Sequence, residues 1–165
     1  MEKPKTTQEV FAVFQQASAK VSNFDSEITS NLVLLDKHDN FPQISKDNNK
    51  EILFKLPVLQ NFTNSMRNIH GGAVGTIVDI CTTVVLLIND KFSRLSVSTH
   101  LSVNYLLGIS EGNDIYILCK MNKMGKNIGF TTCEIYNKDK KLLYTGSHNK
   151  AFINGQSIFE LLPKL

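Results

Sequence analysis

Residues 64–90, NSMRNIHGGAVGTIVDICTTVVLLIND, decide how the chain is to be read. An apolar run of helix length opens on His70-Gly71-Gly72, residues that build helix poorly, and carries a carboxylate, Asp79, near its centre. From Ala73 to Ile88 the run is apolar on nearly every side, which in a soluble protein predicts a helix enclosed by other structure. A membrane span is the competing reading. Sixteen residues fall short of the roughly 20 required, and a carboxylate at the middle would be costly in lipid.

The glycines and the carboxylate need a further account. Gly71 and Gly72 let a ligand or another chain approach the backbone closely, where the first-turn N–H groups have no intrahelical partner and carry the positive end of the helix dipole. Such an end suits an anion, or a carbonyl oxygen that is becoming one; a glycine pair kept for tight packing or a sharp entry turn is the alternative. A carboxylate inside an apolar run needs a partner or a task, so Asp79 either pairs at a solvated notch or does chemistry. His70 and Asp79 lie nine residues apart, about 13.5 Å along a helix axis. Within one chain they do not serve one reacting atom, but across a two-fold axis the start of one helix can lie beside the middle of its partner, giving two identical sites.

Outside this stretch the pattern is mixed. Thr6-x-x-Glu9 matches a capping box, and Val10, Val13, Phe14, Ala17 and Val21 follow at helical spacing, predicting an amphipathic helix over 7–21. SEITSNLVLL (26–35) reads as a strand, residues 36–50 as a polar loop insertion around Pro42, and EILFKLPVL (51–59) as a second strand with period-two apolar residues. After the central helix come four strand-like runs, 95–107, 113–123, 127–137 and 141–153, separated by Gly108 and Gly112-Asn113, Gly125-Lys126 and Lys138-Asp139-Lys140. Short links imply antiparallel pairing, so the expected class is α+β, a single domain over 1–165 with one principal sheet and the long helix filling its buried face.

Composition narrows the function classes. A net charge of +3 with scattered lysines gives no basic arm for nucleic acid, although it permits an anionic small ligand. Cys81, Cys119 and Cys133 lie in apolar segments without a CxxC pair, so no metal site is expected and buried thiols in a reducing compartment are the natural reading. Glu2 and Glu9 interrupt any apolar signal core, which argues against secretion and for the cytoplasm, with a mitochondrial location also open.

At His70-Gly71-Gly72, Thr76-Ile77-Val78-Asp79, Ser98, Gly125-Lys126 and Gly146-Ser147-His148-Asn149-Lys150 the sequence resembles the hot-dog-fold acyl-CoA thioesterases. The similarity is to the HGG-motif, thioesterase superfamily member 2 type (PaaI-like), and runs from about residue 28 to 152 with a similar N-terminal helix before it. The resemblance implies an antiparallel sheet wrapped around a long central helix, homodimers formed by sheet extension with sites at the interface, and pairing into homotetramers. Asn64 and the Gly71 amide would polarise the thioester carbonyl, with Gly72 beside the substrate. Asp79 of the partner would be the general base on a water that Ser98 helps to hold, and His70 would orient the loop around Asn64. Lys126, His148 and Lys150 are candidates for the phosphates of coenzyme A, which enters as part of the substrate with no separate cofactor. Two departures bear on substrate choice: the 36–50 insertion, and His100 and Ser102 where an acid and an amide are usual.

Rival readings are tested by their own requirements. Gly108-Ile109-Ser110-Glu111-Gly112 fits GxSxG, but a nucleophile elbow needs a helix after it and NDIYILCK reads as a strand. Ser98 and His100, two apart on a strand, are expected to share a face, as core-facing polar residues satisfying one another rather than as a catalytic pair. A dehydratase of the same fold would use a catalytic His in a different motif, which is not found here. A non-catalytic acyl-CoA or lipid-binding module needs neither a base nor a positioned water, so Asp79 and Ser98 favour hydrolysis.

Overall fold

The computed structural model describes residues 6–20, 24–35 and 50–161. Thr6 caps the first helix, α1 (Thr7–Ala19), with both arms of the box formed: the Glu9 N–H donates to Thr6 Oγ1 and the Thr6 N–H to Glu9 Oε2. Val10 and Phe11 are its buried face, Phe11 meeting Phe54 with ring centroids 5.8 Å apart. Val21, at the expected end of this helix, and residues 36–49 of the expected insertion lie outside the described residues.

SEITSNLVLL departs from expectation. Its first part is a short helix, α2 (Ser26–Asn31), and only β1 (Val33–Leu34) is strand. The reason is local and tertiary together: the Thr29 hydroxyl donates to the Asp25 carbonyl and the Asn31 amide to the Glu27 carbonyl, side-chain bonds that a strand would not make. Ile28 and Leu32, four residues apart, are both buried in the core.

The remaining elements follow the expected order: β2 (Glu51–Pro57), the long helix α3 (Gly71–Asn89), β3 (Arg94–Tyr105), β4 (Asp114–Met124), β5 (Ile128–Tyr136) and β6 (Leu142–Ser157). The strands form one antiparallel sheet in the order β1-β2-β4-β5-β6-β3. Pro57 ends β2, where no ladder donor is lost inside the sheet. Ser110 is followed by a turn and then β4, with no helix after it, and its hydroxyl donates to Asn68 Oδ1. GxSxG is therefore not an elbow here.

Helix α3 is long and apolar enough to cross a membrane by length and composition. In this fold its apolar side chains are instead covered by the sheet: Val74, Ile77, Val78, Cys81, Val84 and Val85 are all fully buried. Two glycines on the strands let it approach. A Cβ at Gly146 would lie 2.8 Å from Val78 Cγ1 and one at Gly129 2.6 Å from Leu86 Cδ2, so a larger residue at either position would push on these helix side chains. All three cysteines are buried and free within this core.

Strand β3 is bonded on one side only, to β6, among the described residues. A bulge interrupts its register, with Ser98 opposite Lys150 but His100 opposite Asn149. Because neighbouring positions on β6 point to opposite faces, the bulge puts Ser98 and His100 on different faces. The expectation that they share a face is thereby corrected; the extra residue breaks the simple alternation.

Candidate active site

The helix start is built as an open donor. His70 is the N-cap of α3, with extended backbone, and its Nδ1 accepts from the Gly72 N–H at 2.9 Å. That bond occupies the Gly72 amide and leaves the Gly71 N–H without an intrachain partner among the described residues. Tyr105, at the end of β3, closes over this turn: its hydroxyl donates to the Gly71 carbonyl at 2.9 Å, and a Cβ at Gly71 would lie 3.3 Å from its ring. Sequence reasoning did not single out Tyr105; a lone aromatic at a strand end gives no signal of this contact.

Asn64 shapes the loop that enters the helix. Its Oδ1 accepts from the Met66 and Asn68 N–H groups, and its own N–H and C=O bond Asn68 and Arg67. Arg67 holds φ 57°, the left-handed conformation of this tight turn. With its carbonyl oxygen engaged, Asn64 keeps its Nδ2 donors free of bonds among the described residues. His70 ties this loop through its main chain, whose N–H donates to the Phe62 carbonyl, while its ring caps α3. His70 was expected to orient the loop around Asn64; its main chain bonds that loop, and its ring reaches Gly72.

Asp79 sits two turns along α3 with its side chain 42% exposed. One oxygen is engaged: Oδ1 accepts from Lys150 Nζ at 2.9 Å, with Thr83 Oγ1 3.2 Å away and His148 Nε2 at 3.7 Å. Oδ2 has no partner among the described residues. Burial alone would push the Asp79 carboxyl up, but the hydrogen bond and charge of Lys150, aided by His148 and Thr83, outweigh it and hold the group below its ordinary value. The side chain is thus an ionised carboxylate with one oxygen held and the other open.

His148 and Lys150 are placed differently from the sequence expectation. Both were candidates for phosphates at a pocket mouth; both are buried, His148 completely, with their side chains on the α3 side of β6. Burial, then the Lys150 charge, pushes the His148 pKa down to about 4, against the pull of Asp79. The ring is therefore neutral near pH 7, and its approach to Asp79 is not an ion pair.

The tautomer follows from the neighbours. Thr82 Oγ1 lies 2.6 Å from the Val78 carbonyl and 2.7 Å from His148 Nδ1, and a hydroxyl has one proton to donate. The carbonyl can only accept, so the proton shared with the ring belongs to Nδ1. Nε2 is then an acceptor and takes the Ser98 hydroxyl proton at 2.9 Å. Ser98 Oγ is left with its lone pairs for an incoming donor, on the same chain as Asp79.

Lys126 lies at the other end of the helix, exposed in the β4–β5 turn, with its carbonyl accepting from Arg94 Nη1. It borders a cavity of about 830 Å³ together with Lys91, Arg94, Asn154 and Gln156. Arg94 is tied to buried Asp90 by a 2.8 Å ion pair and stacks on Phe152, which leaves Lys91 and Lys126 as the exposed cations of that wall. Among the described residues no group of three or more His, Cys, Asp or Glu side chains is placed to hold a metal ion.

A long central helix wrapped by one antiparallel sheet is the arrangement of the hot-dog folds. The family model of the thioesterase superfamily matches residues 66–144. Acyl-coenzyme A thioesterase 13 of Homo sapiens is 31% identical over 101 residues, 61% of this chain and 71% of the relative. Thioesterase superfamily member 2 of zebra fish superposes with a TM-score of 0.75 at 24% identity, covering 91% of this chain and all of the other. A hypothetical thioesterase of Streptococcus pneumoniae TIGR4, solved with coenzyme A, superposes with a TM-score of 0.64 at 16% identity over 78% of this chain and 90% of the other. The chain belongs to the thioesterase superfamily.

Proposed function

We propose that the chain hydrolyses acyl-coenzyme A thioesters to the free acid and coenzyme A. The observation that carries this reading is the Asp79 carboxylate, ionised, with Oδ2 open, and Ser98 Oγ turned to accept while bonded to the same His148 Nε2 that lies 3.7 Å from Asp79 Oδ1. A water lying between them would give one hydrogen bond to each. As the water oxygen attacks the carbonyl carbon, its proton passes to Asp79, and negative charge builds on the former carbonyl oxygen. The Gly71 N–H and Asn64 Nδ2 are the donors available to stabilise that oxyanion. Collapse of the intermediate breaks the C–S bond, and the proton held by Asp79 can follow the departing thiolate.

Asp79 and Gly71 are eight residues apart in one helix, about 12 Å along its axis. We infer that each site combines Asp79, Ser98 and His148 of one protomer with Asn64, Gly71 and Gly72 of its partner, in a homodimer joined along β3. The unpaired edge of β3 supports this, since it carries Val97, Leu101 and Tyr105 exposed to 54%, 40% and 56%. At the far end of α3, Lys91 and Lys126 supply positive charge for the coenzyme A phosphates. The human relative's name and the coenzyme A of the streptococcal structure support coenzyme A as the carrier of the acyl group.

The test is thiol release from short, long and aryl acyl-CoAs by the wild type and by Asp79→Asn. Release by the wild type that falls at least about a hundredfold in the variant, with an unchanged melting curve, is the expected result. Full activity in Asp79→Asn would overturn the mechanism. A wild type that is thermally stabilised by acyl-CoA but releases no thiol would identify a binding module instead.

A further inference from the structure

Lys150 is 5% exposed, and its Nζ donates to Asp79 Oδ1 at 2.9 Å and to Thr83 Oγ1 at 2.7 Å. Thr83 in turn donates to the Asp79 main-chain carbonyl at 2.7 Å, so the ammonium is fixed to the helix at two points. All the bonds that Asp79 accepts from side chains end on the same oxygen. We propose that Lys150 is a positioning residue for hydrolysis: it pins Oδ1 of Asp79 so that Oδ2 alone is presented to the water. This rests on the reading of Asp79 as the base.

A merely structural ion pair is the plain alternative, and its physics argues against it. Burying an ammonium to neutralise a carboxylate gains little, because desolvation offsets much of the attraction and apolar replacements are often as stable. What the lysine gives that an apolar residue cannot is direction. A free carboxylate rotates about its χ2 bond and offers either oxygen, whereas a base must hold one lone pair aimed within a fraction of an ångström. Lys150 also sets the ionisation. Asp79 faces Lys150 and His148 from β6 and Thr83 from its own helix, and His100 acts on His148 from β3. With His148 neutral, Lys150 is the formal positive charge in contact with the base among the described residues.

Lys150→Met and Lys150→Arg, compared with wild type in acyl-CoA hydrolysis across pH, test this. In Lys150→Met, kcat is expected to fall about tenfold to a hundredfold with KM within about twofold, because only the aim of the base is lost. The acid limb of its pH–rate profile should move to higher pH, since burial of Asp79 is then unopposed by the ammonium. Lys150→Arg keeps the charge but changes the reach, so its acid limb should stay in place while kcat falls. It also carries the test if Lys150→Met does not fold.

An unchanged kcat and acid limb in folded Lys150→Met, or a raised KM at constant kcat as a phosphate contact would give, overturns the Lys150 role alone. Wild-type protein that hydrolyses no acyl-CoA overturns the hydrolytic reading and the positioning role with it.

Discussion

His148 makes the site sensitive to acid through stability as well as chemistry. Its folded pKa of about 4 lies below the ordinary 6.5, chiefly because the ring is completely buried. Between these two values the unfolded chain binds a proton that the folded chain does not, so stability rises with pH across that window. The contribution is fully present above about 6.5 and is lost as pH falls toward 4, amounting to on the order of 3 kcal/mol. Urea unfolding of the wild type and of His148→Gln over this range should show a steeper loss in the wild type. Equal slopes would mean that the ring is not held neutral. At this scale the sequence was informative where a residue broke its local pattern: two glycines opening a helix, a carboxylate inside an apolar run. His148 and Lys150 were visible but misplaced, because their role depends on lying on the same face of β6 as Tyr144 and Phe152. The period-two pattern of residues 144, 146, 148, 150 and 152 held that signal.

The elements fit together through absences as much as through side chains. Gly146 faces Val78 of α3 so closely that an added methyl would stand 2.8 Å from Val78 Cγ1. Gly146→Ala should therefore destabilise the fold by about 1–3 kcal/mol through overpacking. Adding Val78→Ala should restore part of that loss, because the two side chains compete for one space. A double-mutant cycle by thermal or urea unfolding reads the coupling, and strict additivity would show that they do not meet. The four strands after the helix were legible because turn residues punctuate alternating apolar runs. Ser26–Asn31 was not, since its two β-formers, Ile28 and Thr29, were recruited into a helix by side-chain bonds to the backbone and by the burial of Ile28 and Leu32. The bulge at Ser98/His100 was hidden for a related reason: one extra residue leaves composition and alternation almost unchanged while reversing the faces beyond it.

For the whole molecule, the decisive property is that one chain separates the two halves of its proposed chemistry along a single helix. The donors of Gly71 and Asn64 are at one end of α3, and Asp79 with Ser98 is about 12 Å further on. If two protomers share their sites, inactivating substitutions in the two halves should complement each other. Asp79→Asn removes the base. Asn64→Asp removes the amide donors while keeping an Oδ1 that can accept from Met66 and Asn68, so the loop is retained. Each variant alone should be inactive in thiol release. When the two are mixed and their subunits exchanged, half of the dimers are heterodimers, each with one doubly substituted site and one intact site. Activity should then recover to about a quarter of the wild type. A chain that built its whole site alone would leave the mixture as inactive as its parents, and the partner subunit would lose its place in the mechanism.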